Sequence, residues 1–317
     1  ASTRMPEDHT GTLARQRVWI DPGAFDVLIV DEFHRAAAPT YERLLQHFRP
    51  GVLLGLTATP ERADGKSILD WFGGHVAAEL RLWDAIDRGL LAPFQYFGVH
   101  DEVDLSRVRW TRGRYDEGEL ERLYTGDDLR VNMILQALQE RVTDRHAMRA
   151  LGFCVGVSHA RFMADRFERA GIRALALTGE TPRDERDDAL RRLRRREVNV
   201  LFTVDLFNEG VDVPEVDTVL FLRPTESATV FLQQLGRGLR LHEEKECLTV
   251  LDFIGNAHQS FRFDTRYRAL TGTMRRELER QLRAGFPLLP SGCTIQLDRE
   301  SRQVVLDNIR QALRTLL

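Results

Sequence analysis

Val27-Leu28-Ile29-Val30-Asp31-Glu32-Phe33-His34 sets an unbroken apolar run against two adjacent carboxylates. Four consecutive apolar residues read as a short strand buried on both faces, the pattern of a parallel sheet covered by helices. Asp31 then stands at the carboxyl end of that strand, the edge at which open α/β sheets bind their ligands. Val52 to Leu56 repeats the pattern and runs directly into Thr57-Ala58-Thr59-Pro60.

Outward from this stretch, short apolar runs alternate with amphipathic segments to about residue 255, which predicts an α/β fold of parallel sheets with helices on both faces. Further strands are expected over 95–99, 150–157, 198–204, 218–222 and 248–253, and helices over 117–123 and 128–142. Ser158 is placed to cap a helix that Gly171 ends, and Thr181 to cap another with Pro182 at its first position and Asp184 and Glu185 in its first turn. The expected division is a first domain over 1–92, which the resemblance described below makes partial, a second over 93–262, which it makes complete, and a mainly helical extension over 263–317 that starts a further domain. In that tail Arg275 to Ala284 and Ser301 to Leu317 read as helices, the second with Val305, Ile309, Leu313 and Leu316 on one face.

The 317 residues carry 45 Lys and Arg against 48 Asp and Glu, a net charge of -3 that excludes a uniformly basic coat but not a localised basic groove. Lysine occurs only at Lys66 and Lys245. No apolar run reaches the roughly 18 residues of a membrane span, so no membrane is expected as a partner. Residues 1–16 lack the apolar stretch of a secretory signal. Cys154, Cys247 and Cys293 are odd in number, widely spaced and without zinc-ligand spacing, and read as reduced core cysteines of a cytoplasmic protein.

Two neighbouring carboxylates at a strand end offer two tasks: one can hold Mg²⁺ through water, the other can orient or deprotonate an attacking water. An ordinary strand exit can also carry such a pair, so it decides nothing alone. Far downstream, Gln233-Gln234-Leu235-Gly236-Arg237-Gly238-Leu239-Arg240 supplies the complement, glycines that permit close backbone approach beside arginines fit to stabilise developing negative charge. The run Arg191 to Arg196 reads instead as the solvated end of a helix, its charges favouring the helix dipole. His75, His100, His146 and His242 lack metal-ligand spacing and are assigned to structure.

Taken in order, these motifs make the chain resemble superfamily 2 helicases and translocases. Asp31 to His34 is similar to their DExH box, Thr57 to Pro60 to their coupling motif, Thr203 to Pro214 to their fifth motif and Gln233 to Arg240 to their sixth. The resemblance implies two RecA-like domains using ATP and Mg²⁺. By it, Asp31 is the Mg²⁺-linked carboxylate, Glu32 the catalytic base and His34 the link to Gln233. Arg237 and Arg240 would act on the γ-phosphate, Gly210 and Asp212 would face the nucleotide, and Thr57 and Thr59 would couple the two activities. Ser158, His159, Thr178, Gly179 and Thr203 would follow the sugar-phosphate track of a nucleic acid. A finer similarity, through Thr59-Pro60-Glu61-Arg62, Trp83 to Phe97 and Gly292 to Arg310, is to bacterial helicases of DNA repair and restriction-like systems. It leans toward DNA over RNA and toward a bacterial cytoplasm.

One required part is absent from the 317 residues, a phosphate-binding loop of the form GxxxxGK[ST]. In this architecture it precedes Asp31. The expectation is therefore a carboxyl-terminal portion of a longer enzyme whose amino-terminal part completes the first domain. The competing reading is a degenerate relative that keeps a nucleic-acid-binding module without catalysis, for which the intact acidic and arginine motifs are unneeded.

Overall fold

The computed structural model describes residues 20–33, 39–57, 68–205 and 213–314. The chain divides into two compact units, Ala1–Glu79 and Leu80–Leu317. The division falls ahead of the expected boundary at residue 92, because α2 (Leu82–Asp87) buries Ala85 and Ile86 and Ile86 joins the second unit's core.

In the first unit β1 (Val27–Val30) pairs in parallel with β2 (Val52–Gly55), joined by α1 (Pro39–His47), and a 3₁₀ turn over Leu69–Phe72 follows. A small core of Val30, Phe33, Leu45 and Ile68 lies on one face. The opposite face is bare: Val27, Ile29, Val52 and Leu54 are 41–60% exposed. Parallel strands are ordinarily covered on both sides, so this pair lacks a layer among the described residues.

The second unit is built on seven parallel strands: β3 (Phe94–Asp104), β6 (Ala150–Phe153), β7 (Ala174–Leu177), β8 (Val200–Thr203), β9 (Thr218–Phe221), β10 (Leu248–Asn256) and β11 (Thr294–Leu297). Their order is β11-β3-β10-β9-β6-β8-β7, and a short antiparallel pair, β4 (Trp110–Thr111) with β5 (Arg114–Tyr115), stands apart. Successive residues alternate between two cores: Leu151, Leu201, Val219 and Val250 face one, Ala150, Val200, Leu220 and Leu251 the other. Helices cover both sides, α4 (Asp128–Arg141) and α5 (Val157–Arg169) on the second core, α6 (Arg183–Arg194) and α7 (Ala228–Gly236) among those on the first. Such all-round burial is why these strands read as continuous apolar runs.

The tail departs from the expected helical extension. After α8 (Phe263–Thr271) and α9 (Arg275–Ala284) it contributes β11, which pairs with β3 from Thr294↔Gln95 to Leu297↔Gly98, before α10 (Arg299–Arg314). Val305 and Ile309 are fully buried in the same core as Val219 and Val250, so this segment completes the second unit's sheet. A short strand of four residues after Gly292 carries too little periodicity to stand out beside two amphipathic helices. Two caps also differ from expectation. The α5 helix begins one residue before Ser158, with Gly156 as its cap, and the Thr181 hydroxyl accepts the Thr178 N–H at 2.9 Å while Pro182 occupies the cap of α6.

A buried polar cluster holds α8 to the sheet. Asp252 on β10 accepts hydrogen bonds from the Tyr96 hydroxyl and from the Arg266 guanidinium, and Arg266 lies 4.3 Å over the ring of Phe231 on α7. Burial raises the Tyr96 hydroxyl well above its ordinary pKa, with Asp252 adding to the effect, so the phenol stays a donor. Removing one partner of a buried ion pair leaves an uncompensated charge. Arg266→Met is expected to destabilise the chain by about 3–5 kcal/mol, and adding Asp252→Asn to recover part of the loss, as measured by denaturant unfolding.

Candidate functional site

Glu32 is where the first unit turns. Its backbone adopts φ 51°, a left-handed conformation that non-glycine residues seldom take, while the Asp31 carboxylate accepts the Glu32 N–H at 2.9 Å. The turn drives Phe33 into the core, 1% exposed and 4.8 Å from the ring of Phe72, and the Phe33 N–H bonds to the Leu56 carbonyl at 2.8 Å. Thr57 is therefore held next to the acidic pair, at the carboxyl ends of two paired strands. His34 and Thr59 lie outside the described residues, as do Gly210 and Asp212.

Asp31 is exposed, and the described residues contain no group of three or more His, Cys, Asp or Glu side chains able to enclose a metal ion. That donor set fits Mg²⁺, which keeps several waters and takes one or two carboxylates beside phosphate oxygens. It does not fit a dedicated protein cage. No loop of the form GxxxxGK[ST], which cradles β- and γ-phosphates, occurs in the 317 residues.

On the second unit, Ser227 caps α7 by accepting the Val230 N–H, and Gln234 is buried with Thr225 as its hydroxyl partner. Gln233, Arg237 and Arg240 remain partly accessible on the same helix and the turn after it. The turn has little freedom. A Cβ at Gly238 would stand 2.3 Å from Leu248, and the Leu239 carbonyl accepts the Ala92 N–H at 2.7 Å.

The expected nucleic-acid residues share one edge. Phe153, Thr203 and Leu177 are in register across β6, β8 and β7, so the segments after these strands leave the sheet side by side. Gly179 is exposed with open space beside it, and Thr178 is 3% exposed with its hydroxyl accepting the Glu180 N–H. Thr203 is fully buried. Its hydroxyl has no hydrogen-bond partner among the described residues, so it does not face an open track in this conformation.

Ser158 and His159 differ more. A carboxylate oxygen of Glu121, from α3 (Glu117–Tyr124), already accepts the Ser158 N–H at 2.7 Å and the His159 N–H at 3.3 Å. Gly156 permits this approach, since a Cβ there would fall 2.4 Å from the carboxylate. His159 is fully buried beside Tyr124, with Nδ1 accepting the Val155 N–H; burial, with Arg130 nearby, holds its pKa well below the usual histidine value. It is a neutral core residue and presents no charge to a phosphate. Its sequence context suggests otherwise because a histidine after a strand carries no mark of burial.

A cleft of about 270 Å³ opens beyond the ends of β6, β8 and β9, lined by Val155, Asp205, Arg223 and Glu226 and by Arg114 and Tyr115 of the β4–β5 pair. Arg223 bridges to Asp205 at 3.1 Å. Neither Arg114 nor Arg223 stands out in the sequence; the one available signal is that Arg223-Pro224 directly follows an apolar strand. The arginine run after residue 190 is divided among Asp188, Glu215, Glu197 and Glu244. Its charges are thus largely spent on neighbouring carboxylates.

Residues 131–242 match the helicase conserved C-terminal domain, and residues 12–62 match the res subunit of type III restriction enzymes. The chain belongs to superfamily 2 of the helicases. A Saccharomyces cerevisiae protein assigned as the ATP-dependent helicase IRC3 is 30% identical over 77% of this chain and 36% of its own length. The Escherichia coli type I restriction enzyme EcoAI endonuclease subunit is 28% identical over 74% of this chain and 32% of its own. A solved fragment of a protein assigned as the HsdR subunit of a Vibrio vulnificus YJ016 type I restriction enzyme aligns with TM-score 0.58 and 28% identity, covering 76% of this chain and 46% of that one. This superfamily 2 chain therefore spans about a third of the two relatives' lengths, and its sheet is RecA-like.

Because Glu121 accepts the Ser158 and His159 N–H groups of α5, Glu121→Ala removes both a hydrogen-bond acceptor and a negative charge from a helix N-terminus. A stability loss of about 1 kcal/mol is expected, read from the shift in denaturation midpoint at unchanged slope.

Proposed function

We propose that the chain is the carboxyl-terminal part of an ATP-dependent DNA helicase or translocase. The observation that carries this reading is the held turn after α7, which fixes the backbone between Arg237 and Arg240 by the Leu248 contact at Gly238 and the Ala92 bond to Leu239. Arginines used against transition-state charge need such pre-organisation, because a mobile guanidinium must be ordered during the reaction itself. Asp31 and Glu32, set on a constrained turn at a strand end, provide the complementary acidic pair.

Bound Mg²⁺·ATP would supply the phosphoryl group and the charge that makes it reactive. Asp31 would hold metal-bound water, Glu32 would orient the attacking water and take its proton, and Arg237 and Arg240 would offset charge developing on the phosphoryl group. The bare face of β1 and β2 supports an amino-terminal layer that completes the first domain and brings the phosphate cradle. DNA rather than RNA is favoured by the restriction-enzyme relatives, and the amides and hydroxyls at the β6, β7 and β8 edge suit contacts to a sugar-phosphate backbone without base readout. At the α5 terminus a DNA phosphate would have to displace the Glu121 carboxylate.

Two outcomes test the reading. The 317-residue chain alone is expected to lack ATP hydrolysis, and DNA-stimulated phosphate release by it, abolished in Glu32→Gln, would refute the missing-cradle argument. In protein carrying a phosphate-binding loop ahead of Val27, Arg237→Ala is expected to lower kcat by about 10³ with little change in nucleotide affinity. Full turnover by that variant would remove the arginine assignment.

A further inference from the structure

Lys245 is one of two lysines in the chain and is 8% exposed. Its ammonium donates to three backbone carbonyls: Pro214 at 2.7 Å, Val216 at 2.9 Å and Gly238 at 3.0 Å. The first two carbonyls stand where the segment after β8 returns toward β9. The third lies between Arg237 and Arg240. One cation therefore joins the exit of the fifth-motif segment to the turn that carries both arginines, using all three of its donors.

From this geometry we infer that Lys245 is a positioning residue, a latch that ties Pro214 and Val216, just ahead of β9, to the turn between Arg237 and Arg240 and so sets the placement of both arginines. The inference rests on the motor reading above, in which the arginines serve the nucleotide. A neutral amine has two N–H donors and must release one carbonyl, so the latch is complete only while the group is protonated.

Burial lowers the Lys245 pKa from 10.5 to about 8, with Arg149 and Arg240 adding to the shift and Asp217 and Glu215 opposing it. Asp217 is itself raised by burial, and Glu244 pairs with Arg149 at 3.0 Å. Folded-state pKa lies below the unfolded value, so between about 8 and 10.5 the unfolded chain retains a proton the folded chain has lost. The contribution of this group to stability therefore rises with pH across that window. Activity and stability are thus expected to move in opposite directions, which a merely structural lysine would not produce.

The experiment compares unsubstituted protein, Lys245→Arg and Lys245→Met, each with the phosphate-binding loop in place, for DNA-stimulated turnover from about pH 7 to 9.5, with thermal unfolding recorded alongside. Unsubstituted protein should lose stimulated kcat as pH rises through about 8, at unchanged KM for ATP and without falling stability. Lys245→Met should show kcat about tenfold lower at neutral pH with a flat profile, and Lys245→Arg, permanently charged, should carry its activity past about pH 9. A flat profile for the unsubstituted protein, or a folded Lys245→Met variant with normal turnover, overturns the inference. A second arm needs no turnover: amide exchange in the 317-residue chain should be faster at Val216, Gly238 and Leu239 in Lys245→Met than in the unsubstituted chain, with β10 unchanged. Equal exchange at these amides overturns the latch. Absent turnover in the unsubstituted protein would instead overturn the motor reading, and the exchange arm would still decide the latch.

Discussion

Parallel strands cannot be joined by a tight hairpin; each connection must cross a face of the sheet and return to the end from which the strand started. All seven strands of the second unit obey this constraint. One row runs in register across the whole sheet, from Leu297 through Gly98, Asp252, Phe221, Phe153 and Thr203 to Leu177. The segments after β6, β7, β8 and β9 leave from just beyond that row, whereas the arginine turn meets the amino ends of β3 and β10 through Ala92 and Leu248. Alignment of this edge is thus a product of strand polarity and does not depend on the loops that leave it.

The row also explains why the tail matters to the site. Asp252 belongs to it, and Asp252 anchors Arg266, which in turn lies over Phe231 on the helix that leads into the arginine turn. The path from α8 to α7 consists of a buried charge pair and a cation over a ring, both geometrically demanding. Residues 263–314 therefore support α7 by a route separate from the carbonyl contacts made by Lys245. A segment that looks like an appendage in the sequence is part of the second unit's core.

Legibility in the sequence followed burial symmetry. Strands flanked by helices on both faces, such as Val200 to Thr203 and Thr218 to Phe221, announce themselves as apolar runs, and the α/β architecture follows from them. Strand β11 did not, because only two of its four residues are buried and two amphipathic helices flank it. Site residues divided in the same way. Asp31, Glu32, Arg237 and Arg240 stand out in the sequence because their types are chemically unusual beside apolar strands and glycines, and their roles belong to the proposal above. Glu121, Arg223 and Lys245 were not, since each acquires its partner only through tertiary contact, and no local spacing marks an acid that will cap a distant helix or a lysine that will reach three carbonyls. His159 erred in the other direction: its polar type suggests accessibility, and the helix it opens rotates it into the core.

Glu32 presents a conflict between two optima. At φ 51° a residue with a Cβ is disfavoured relative to glycine by roughly 1 kcal/mol or more. A library sorted only for resistance to heat would therefore tend to enrich Glu32→Gly, relaxing the backbone while deleting the carboxylate. If Glu32 serves the proposed hydrolysis, thermal screening of this domain is biased against that chemistry at a single residue, and any stabilised variant must be sequenced there before its activity is compared.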